Sequence, residues 1–388
     1  MSNVQSGNQD RLHHWDFSRA LYLMLGIPFH AAVIYSLAHE WAVSSPDKSQ
    51  VLTWFSDFLH TFRMPGFFLL AGFFSIMILD RKGPMTWLKS RLFRLGVPLF
   101  SATLLIVPFQ IVVQSVALSV SGTLPWADLS AYTVGQLTQF GEPWISHLWF
   151  LWCLIAYCVG LAMLHALVGG VKLRAALDGL VGWIMRNRIA SLLGFFGLCA
   201  ATAYVQSVVV AASPFYGNAV INYNAYVLYF CLGVVLFYSP KMQDSLVKPG
   251  PKALGVGIVL AALSVVPYTD LLGHTLKVIA GIAGALLIVG YISNLAVKHF
   301  NKPNAKVRKL VDASFTIYLF HHPIIIVLAT LFLMVNLPPI IEFAIIVVAA
   351  GFSSYAIHQL ISKSPILMMM VGSNAATGQN RSMVKATS

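Results

Sequence analysis

A chain of 388 residues is long enough for two soluble domains, yet 58% of its residues are hydrophobic and only 10% charged, against about 25% charged in a soluble domain. With a mean hydropathy of +0.76 and apolar runs of about 20 residues recurring along it, the composition excludes a conventional water-soluble core; a bilayer is the solvent for most side chains. The formal charge of +12 does not point to nucleic acid, because the basic residues lie in short clusters between apolar runs and not along one polar face.

In chain order, residues 1 to 16 are polar and expected to be disordered on the cytoplasmic side. Ten apolar windows follow, at roughly 17 to 38, 51 to 80, 92 to 118, 146 to 168, 189 to 211, 222 to 238, 252 to 270, 274 to 296, 312 to 334 and 338 to 362. They lack period-2 alternation and are about twice the length of a barrel strand, so they predict helices. The expected fold class is all-α, a polytopic membrane bundle of about ten transmembrane helices over 17 to 365, with a disordered cytoplasmic tail over 366 to 388. The first window exceeds the h-region of a cleavable signal peptide, about 7 to 15 residues, which argues for a retained span.

Of the 25 basic residues, all but Lys48, Arg63 and Lys277 fall in one set of alternate connections, which predicts that both termini are cytoplasmic. The longest connection on the other side, about 119 to 145, holds Trp126, Asp128, Glu142 and Trp144 and no basic residue. It either covers a site or lies at headgroup level as an interfacial loop. Cys153, Cys158, Cys199 and Cys231 sit in or beside apolar runs at spacings unlike a zinc knuckle or a CxxC pair, so neither disulfides nor a metal are expected.

Ionisable groups at membrane depth are costly and usually face a bundle interior or a wet cavity. In the first window Arg19 and His30 are eleven positions apart, about three helical turns, which puts them on one side at different depths, with His30 towards the outer face. The second window carries Asp57, His60 and Arg63 at three-residue steps, within a sector of about 120°. The ninth contains Tyr318, His321 and His322. Neighbours on a helix point about 100° apart, so one histidine is expected to share a cavity with His30; His321 is favoured because Tyr318 lies on nearly its face. His147 and Trp149 open the fourth window at its outer end, and Arg91 and Arg94 lead into the third at the basic end. An internal ion-pair network, a snorkelling arginine or an interfacial aromatic would explain the same residues without chemistry.

A histidine in a dry cavity can take a proton from a hydroxyl, with Asp57 fixing its tautomer and Arg63 or His321 stabilising an oxyanion. This suits acyl transfer to an alcohol. Relays of Asp and His inside helices also occur in proton-coupled transporters, which remain the alternative.

The Arg19-X10-His30 spacing and Phe67-Phe68-Leu69-Leu70-Ala71-Gly72-Phe73-Phe74 resemble the membrane acyltransferase family 3. Gly26 to His30, Phe62-Arg63-Met64, Arg91 to Pro98, Ser146 to Leu151 and Ile317 to Pro323 are similar to its glucan-modifying members, within a likeness spanning about 10 to 365. The resemblance implies a bacterial inner-membrane enzyme that moves a succinyl group from cytoplasmic succinyl-CoA to glucose hydroxyls of a periplasmic glucan, with acetyl as the alternative acyl group. Succinyl-CoA would be a co-substrate and no cofactor would stay bound; the partners would be the acyl-CoA donor, the glucan acceptor and the lipid bilayer. On this reading His30, Asp57, His60 and His321 are catalytic, Arg19, Arg63, Arg91 and Arg94 bind the donor, and His147, Trp149 and Tyr318 meet the acceptor. Asp312, at the start of the ninth window, is expected only to cap that helix and balance the basic loop before it.

Overall fold

The computed structural model describes residues 13–139, 141–212, 214–266, 271–335 and 337–372. Among these residues every regular element is helical. The first half comprises α1 (His13–Met24), α2 (Gly26–Val33), α3 (Gln50–Lys82), α4 (Pro84–Leu105), α5 (Val107–Val120), α6 (Leu129–Thr138), α7 (Glu142–Ile145), α8 (Trp149–Val168) and α9 (Gly170–Arg186). The second comprises α10 (Arg188–Ala212), α11 (Pro214–Phe237), α12 (Pro240–Leu246), α13 (Pro251–Val265), α14 (Leu271–Phe300), α15 (Ala305–Phe332), α16 (Pro339–Ile361) and α17 (Pro365–Met370).

Each apolar window contains a helix, but length and composition support fewer spans than ten. Among the described residues 5 helices are long and apolar enough to cross a membrane, or up to 7 if each bent pair is one span. Prolines account for two of the differences. Pro28 lacks the N–H that the Met24 carbonyl would accept, and the first window divides at Leu25 into α1 and α2. Pro108 does the same beyond Leu104, and α4 meets α5 at a bend of 40°. The termini also differ from the expected boundaries: α1 begins at His13 and α17 occupies Pro365–Met370. The remainder of both expected disordered segments, 1–12 and 373–388, lies outside the described residues, as does part of the seventh window. Basic residues Arg11, Arg381 and Lys385 of the charge count lie there too.

Helix α3 is the central rod and packs on α1, α2, α4, α8, α11 and α14. Its phenylalanine-rich face fills the larger core, where Phe68 stacks on Tyr226 with centroids 5.1 Å apart and meets Phe150 edge-on at 5.4 Å. Two glycines set the crossing with α11. Gly72 lies against the Phe230 carbonyl and Gly233 against that of Leu69, so any side chain there would strike backbone. Small residues of this kind let membrane helices approach closely without a solvent-driven hydrophobic force. A second core joins α2, α15 and α16 through residues such as Ala31, Ala32, Ile325, Ile346 and Ala350. Tyr35 donates to the Glu342 carboxylate at 2.8 Å, fastening the chain after α2 to the start of α16. Asn304 caps α15, its side-chain oxygen accepting from the Lys306 and Val307 amides. Asp312 therefore lies inside that helix and is not its cap.

Candidate active site

Four imidazoles meet where α2, α15 and the 3-10 turn Ser146–Leu148 converge. The His30 ring lies 5.4 Å from that of His321 and 5.0 Å from that of His322, and Trp41 stacks on it at 5.3 Å. His147 stacks on His322 at 4.5 Å with an interplanar angle of 14°. His147, His321 and His322 are buried, whereas His30 keeps part of its surface open. Both histidines of α15 thus flank His30. The expectation that one of them would share a cavity with it is corrected: neither is among the residues that line the chamber holding His30, so their relation to it is ring contact and not a shared cavity. No group of three or more His, Cys, Asp or Glu side chains among the described residues is arranged to hold a metal ion.

Gln110 of α5 orders this cluster. Its Nε2 donates to Nδ1 of His322 at 3.0 Å and lies 3.4 Å from Nδ1 of His147, while Ser146 Oγ donates to its Oε1 at 2.8 Å. With the amide in this orientation its two protons make both Nδ1 atoms acceptors. Ser146 holds this position at φ 44°, the only positive value at a non-glycine residue among those described, in a region costly for a side chain bearing Cβ. Tyr318 donates through its hydroxyl to the His147 carbonyl at 2.7 Å, so the group expected to meet the acceptor is already committed to positioning His147. His321 Nδ1 lies 2.7 Å from the Tyr318 carbonyl and 3.1 Å from that of Ile317, which assigns the proton to Nδ1. Its Nε2 is then a lone pair, buried without a partner. In this tautomer His321 accepts a proton and cannot donate to an oxyanion, contrary to one of its two expected uses.

The second-window residues separate along α3. Arg63 is buried and its guanidinium covers the Phe29 ring at 4.5 Å. A Cβ on Gly26 would come within 3.0 Å of Arg63 Nη1 and 3.1 Å of His321 Nε2, so the glycine lets both groups press onto the α2 backbone. His60 stacks on the Phe29 ring at 5.5 Å, with its Nε2 3.4 Å from the Tyr226 hydroxyl. Phe29 therefore stands between His60 and the imidazole cluster. Asp57 bonds Nε2 of His39 at 2.8 Å near the exposed end of α3, and His30 Nδ1 is buried with no hydrogen-bond partner. The expected orientation of His30 by Asp57 is corrected: the loop after α2 brings His39 to that carboxylate first.

Two cavities adjoin at this place. The larger, about 730 Å³, is lined by Arg19, Arg91, Arg94, Lys309 and Lys363 among others, with Asp312 as its acidic member. Three of the four expected donor-binding arginines thus share one basin. The fourth, Arg63, lines the smaller chamber of about 20 Å³ with His30, His147, Trp149, Tyr318 and Tyr22. Leu23, Phe67 and Phe150 line both cavities and form the wall between them.

Sequence reasoning missed His322 as a direct neighbour of His30, and also Gln110, Trp41 and Tyr22. Gln110 carried a signal, being an amide in the apolar run of the third window. Trp41 belongs to a loop without periodicity, and a tyrosine in an apolar helix is unremarkable in sequence.

A helical bundle with several helices long and apolar enough to cross a membrane and polar groups buried between them is a multi-pass membrane protein, and the chain belongs to acyltransferase family 3, whose acyltransferase domain matches residues 12–359 and makes it a transferase. Among its relatives, glucans biosynthesis protein C of Shigella dysenteriae serotype 1 (strain Sd197) is 30% identical over 332 residues, covering 81% of this chain and 82% of that protein. Its counterpart in Salmonella heidelberg (strain SL476) is 30% identical over 339 residues, with the same coverage. No solved structure matches the chain.

Proposed function

We propose that the protein transfers a succinyl group from succinyl-CoA to glucose hydroxyls of a periplasmic glucan across the bacterial inner membrane, with His30 as general base. The observation that carries this reading is the wall of Leu23, Phe67 and Phe150 shared by a basic basin and an imidazole-lined chamber. A donor with several phosphates suits Arg19, Arg91, Arg94, Lys309 and Lys363, since guanidinium and ammonium groups form strong charge-assisted bonds to phosphate. The clustering of basic connections at that end supports a cytoplasmic opening. His30 lines the chamber and its Nδ1 has no hydrogen-bond partner, which suits a base that meets the acceptor hydroxyl. Arg63 is the cation in the chamber and suits the free carboxylate of a succinyl group, which an acetyl group lacks. The glucan acceptor follows from the named relatives.

The test is reconstitution in liposomes with labelled succinyl-CoA on one side and glucan on the other, run in parallel with acetyl-CoA. Free CoA together with labelled glucan from the succinyl donor is expected. Label crossing the bilayer with its thioester intact would establish transport instead, and transfer from acetyl-CoA alone would overturn the assignment of the acyl group.

A further inference from the structure

The chamber beside His30 contains a hydroxyl that the residues discussed so far leave unused. Tyr22 of α1 is 1% exposed, lines the chamber, and its O–H is buried without a hydrogen-bond partner. The end of its ring rests on α3: a Cβ on Gly66 would lie 2.5 Å from Tyr22 Cζ. Gly66 is three residues beyond Arg63, so the ring packs on α3 about one helical turn from the position at which the Arg63 side chain leaves that helix, and Tyr22 and Arg63 both line the chamber. Arg63 Nε is likewise buried and unpartnered.

A phenol held in such surroundings with its proton unpaired carries a desolvation cost that a bonded one does not. Phenylalanine would fill the same space without that cost. The chamber, about 20 Å³, has room for about one water-sized group. Its unpaired polar atoms fall into two sets. Tyr22 O–H and Arg63 Nε–H are donors, whereas His30 Nδ1 and His147 Nε2 belong to imidazoles, and a neutral imidazole keeps one nitrogen as an acceptor. Addition of an alcohol to a thioester needs both kinds, donors for the carbonyl oxygen that becomes negative and an acceptor for the hydroxyl proton.

We propose that Tyr22 is a catalytic residue whose hydroxyl, with Arg63 Nε–H, forms the oxyanion hole of acyl transfer. This rests on the acyl-transfer reading above. The acceptor oxygen forms a bond to the thioester carbon and its proton passes to an imidazole. The carbonyl π electrons move to oxygen, which is held as the anion by the two donors. When they return, the carbon–sulfur bond breaks and the CoA thiolate takes the proton back from the imidazolium. No other reactant enters.

Tyr22→Phe is the test, in liposomes with succinyl-CoA and glucan. Loss of one oxyanion donor lowers kcat by about 100- to 1,000-fold in a known case, so a kcat decrease of at least about 30-fold is expected. KM for succinyl-CoA should change less than about twofold, and the thermal midpoint in detergent should be unchanged or higher, because an unpaired buried hydroxyl has gone. A purely structural tyrosine would instead lower the midpoint. Wild-type kcat in a folded Tyr22→Phe protein would overturn the proposal, including the case in which a resident water merely satisfies the hydroxyl. Gly66→Ala, whose methyl would displace the phenol ring, should lower kcat in the same direction; full activity in that variant would also count against it. Absence of transfer by the wild-type protein would instead bring down the acyl-transfer reading itself.

Discussion

At the scale of single residues, proton-accepting atoms and their orientation govern what the chamber can do. As the proposed base, His30 is expected to be indispensable: His30→Gln should insert and bind donor normally but lower transfer by about 100-fold or more, within the range of general-base catalysis, as read by labelled glucan in liposomes. Retention of wild-type turnover would remove it from the mechanism. Gln110 acts through others. Gln110→Leu leaves Nδ1 of His322 and the Ser146 hydroxyl without the partners they have now, at about 1 to 3 kcal/mol for each buried group left unpaired. The thermal midpoint should fall by several degrees, and transfer should drop about tenfold as His322 turns out of register. Gln110→Glu, which keeps the acceptor for Ser146 but loses the amide protons, should restore neither. His30, Arg63 and the α15 histidines were legible in sequence because an ionisable group in an apolar run is rare. The His39–Asp57 pair was not, because it depends on where a loop lands.

Among the helices, the break between α1 and α2 matters most. Pro28 disrupts the hydrogen-bond ladder, and Gly26 lets Arg63 Nη1 and His321 Nε2 approach the backbone directly. Gly26→Val would put branched carbons into that space, and displacement of a reacting group by about 1 Å can cost on the order of 100-fold. We expect at least a tenfold loss of transfer with donor binding intact, and a smaller loss for Gly26→Ala. Equal activity in both variants would show that the site tolerates more room than the geometry allows. The windows themselves were readable from hydropathy, but the bends were not, because apolar composition reports the solvent around a helix and says little about its straightness. The α15 assignment illustrates the same limit: a step of about 100° between neighbours did not keep either histidine away from His30, whose ring lies 5.4 Å from one and 5.0 Å from the other.

For the whole molecule, the arrangement is a basic basin and a small chamber separated by one apolar wall. If the basin holds the phosphates of the donor, removing its charge should affect binding and spare the chemistry. Arg91→Gln combined with Arg94→Gln is expected to raise KM for succinyl-CoA about tenfold or more while kcat stays within about twofold, the pattern of lost ground-state binding. The wild-type KM should rise with ionic strength and that of the double variant much less. A fall in kcat without a change in KM would place these arginines outside the donor site.

The sequence by itself determined the solvent of this protein, the helical nature of its apolar windows, its family, and which few side chains carry charge or imidazole at depth. Those properties are local: they follow from composition and from the 3.6-residue repeat of one helix. Only the tertiary structure decided that His322 joins His321 at His30, that Gln110 orders the rings, that Asp57 serves His39, and that the unpaired hydroxyl of Tyr22 lines the same chamber as Arg63. These depend on where segments far apart in the chain cross, and the crossings are set by glycine contacts, proline breaks and close packing that involve two elements at once.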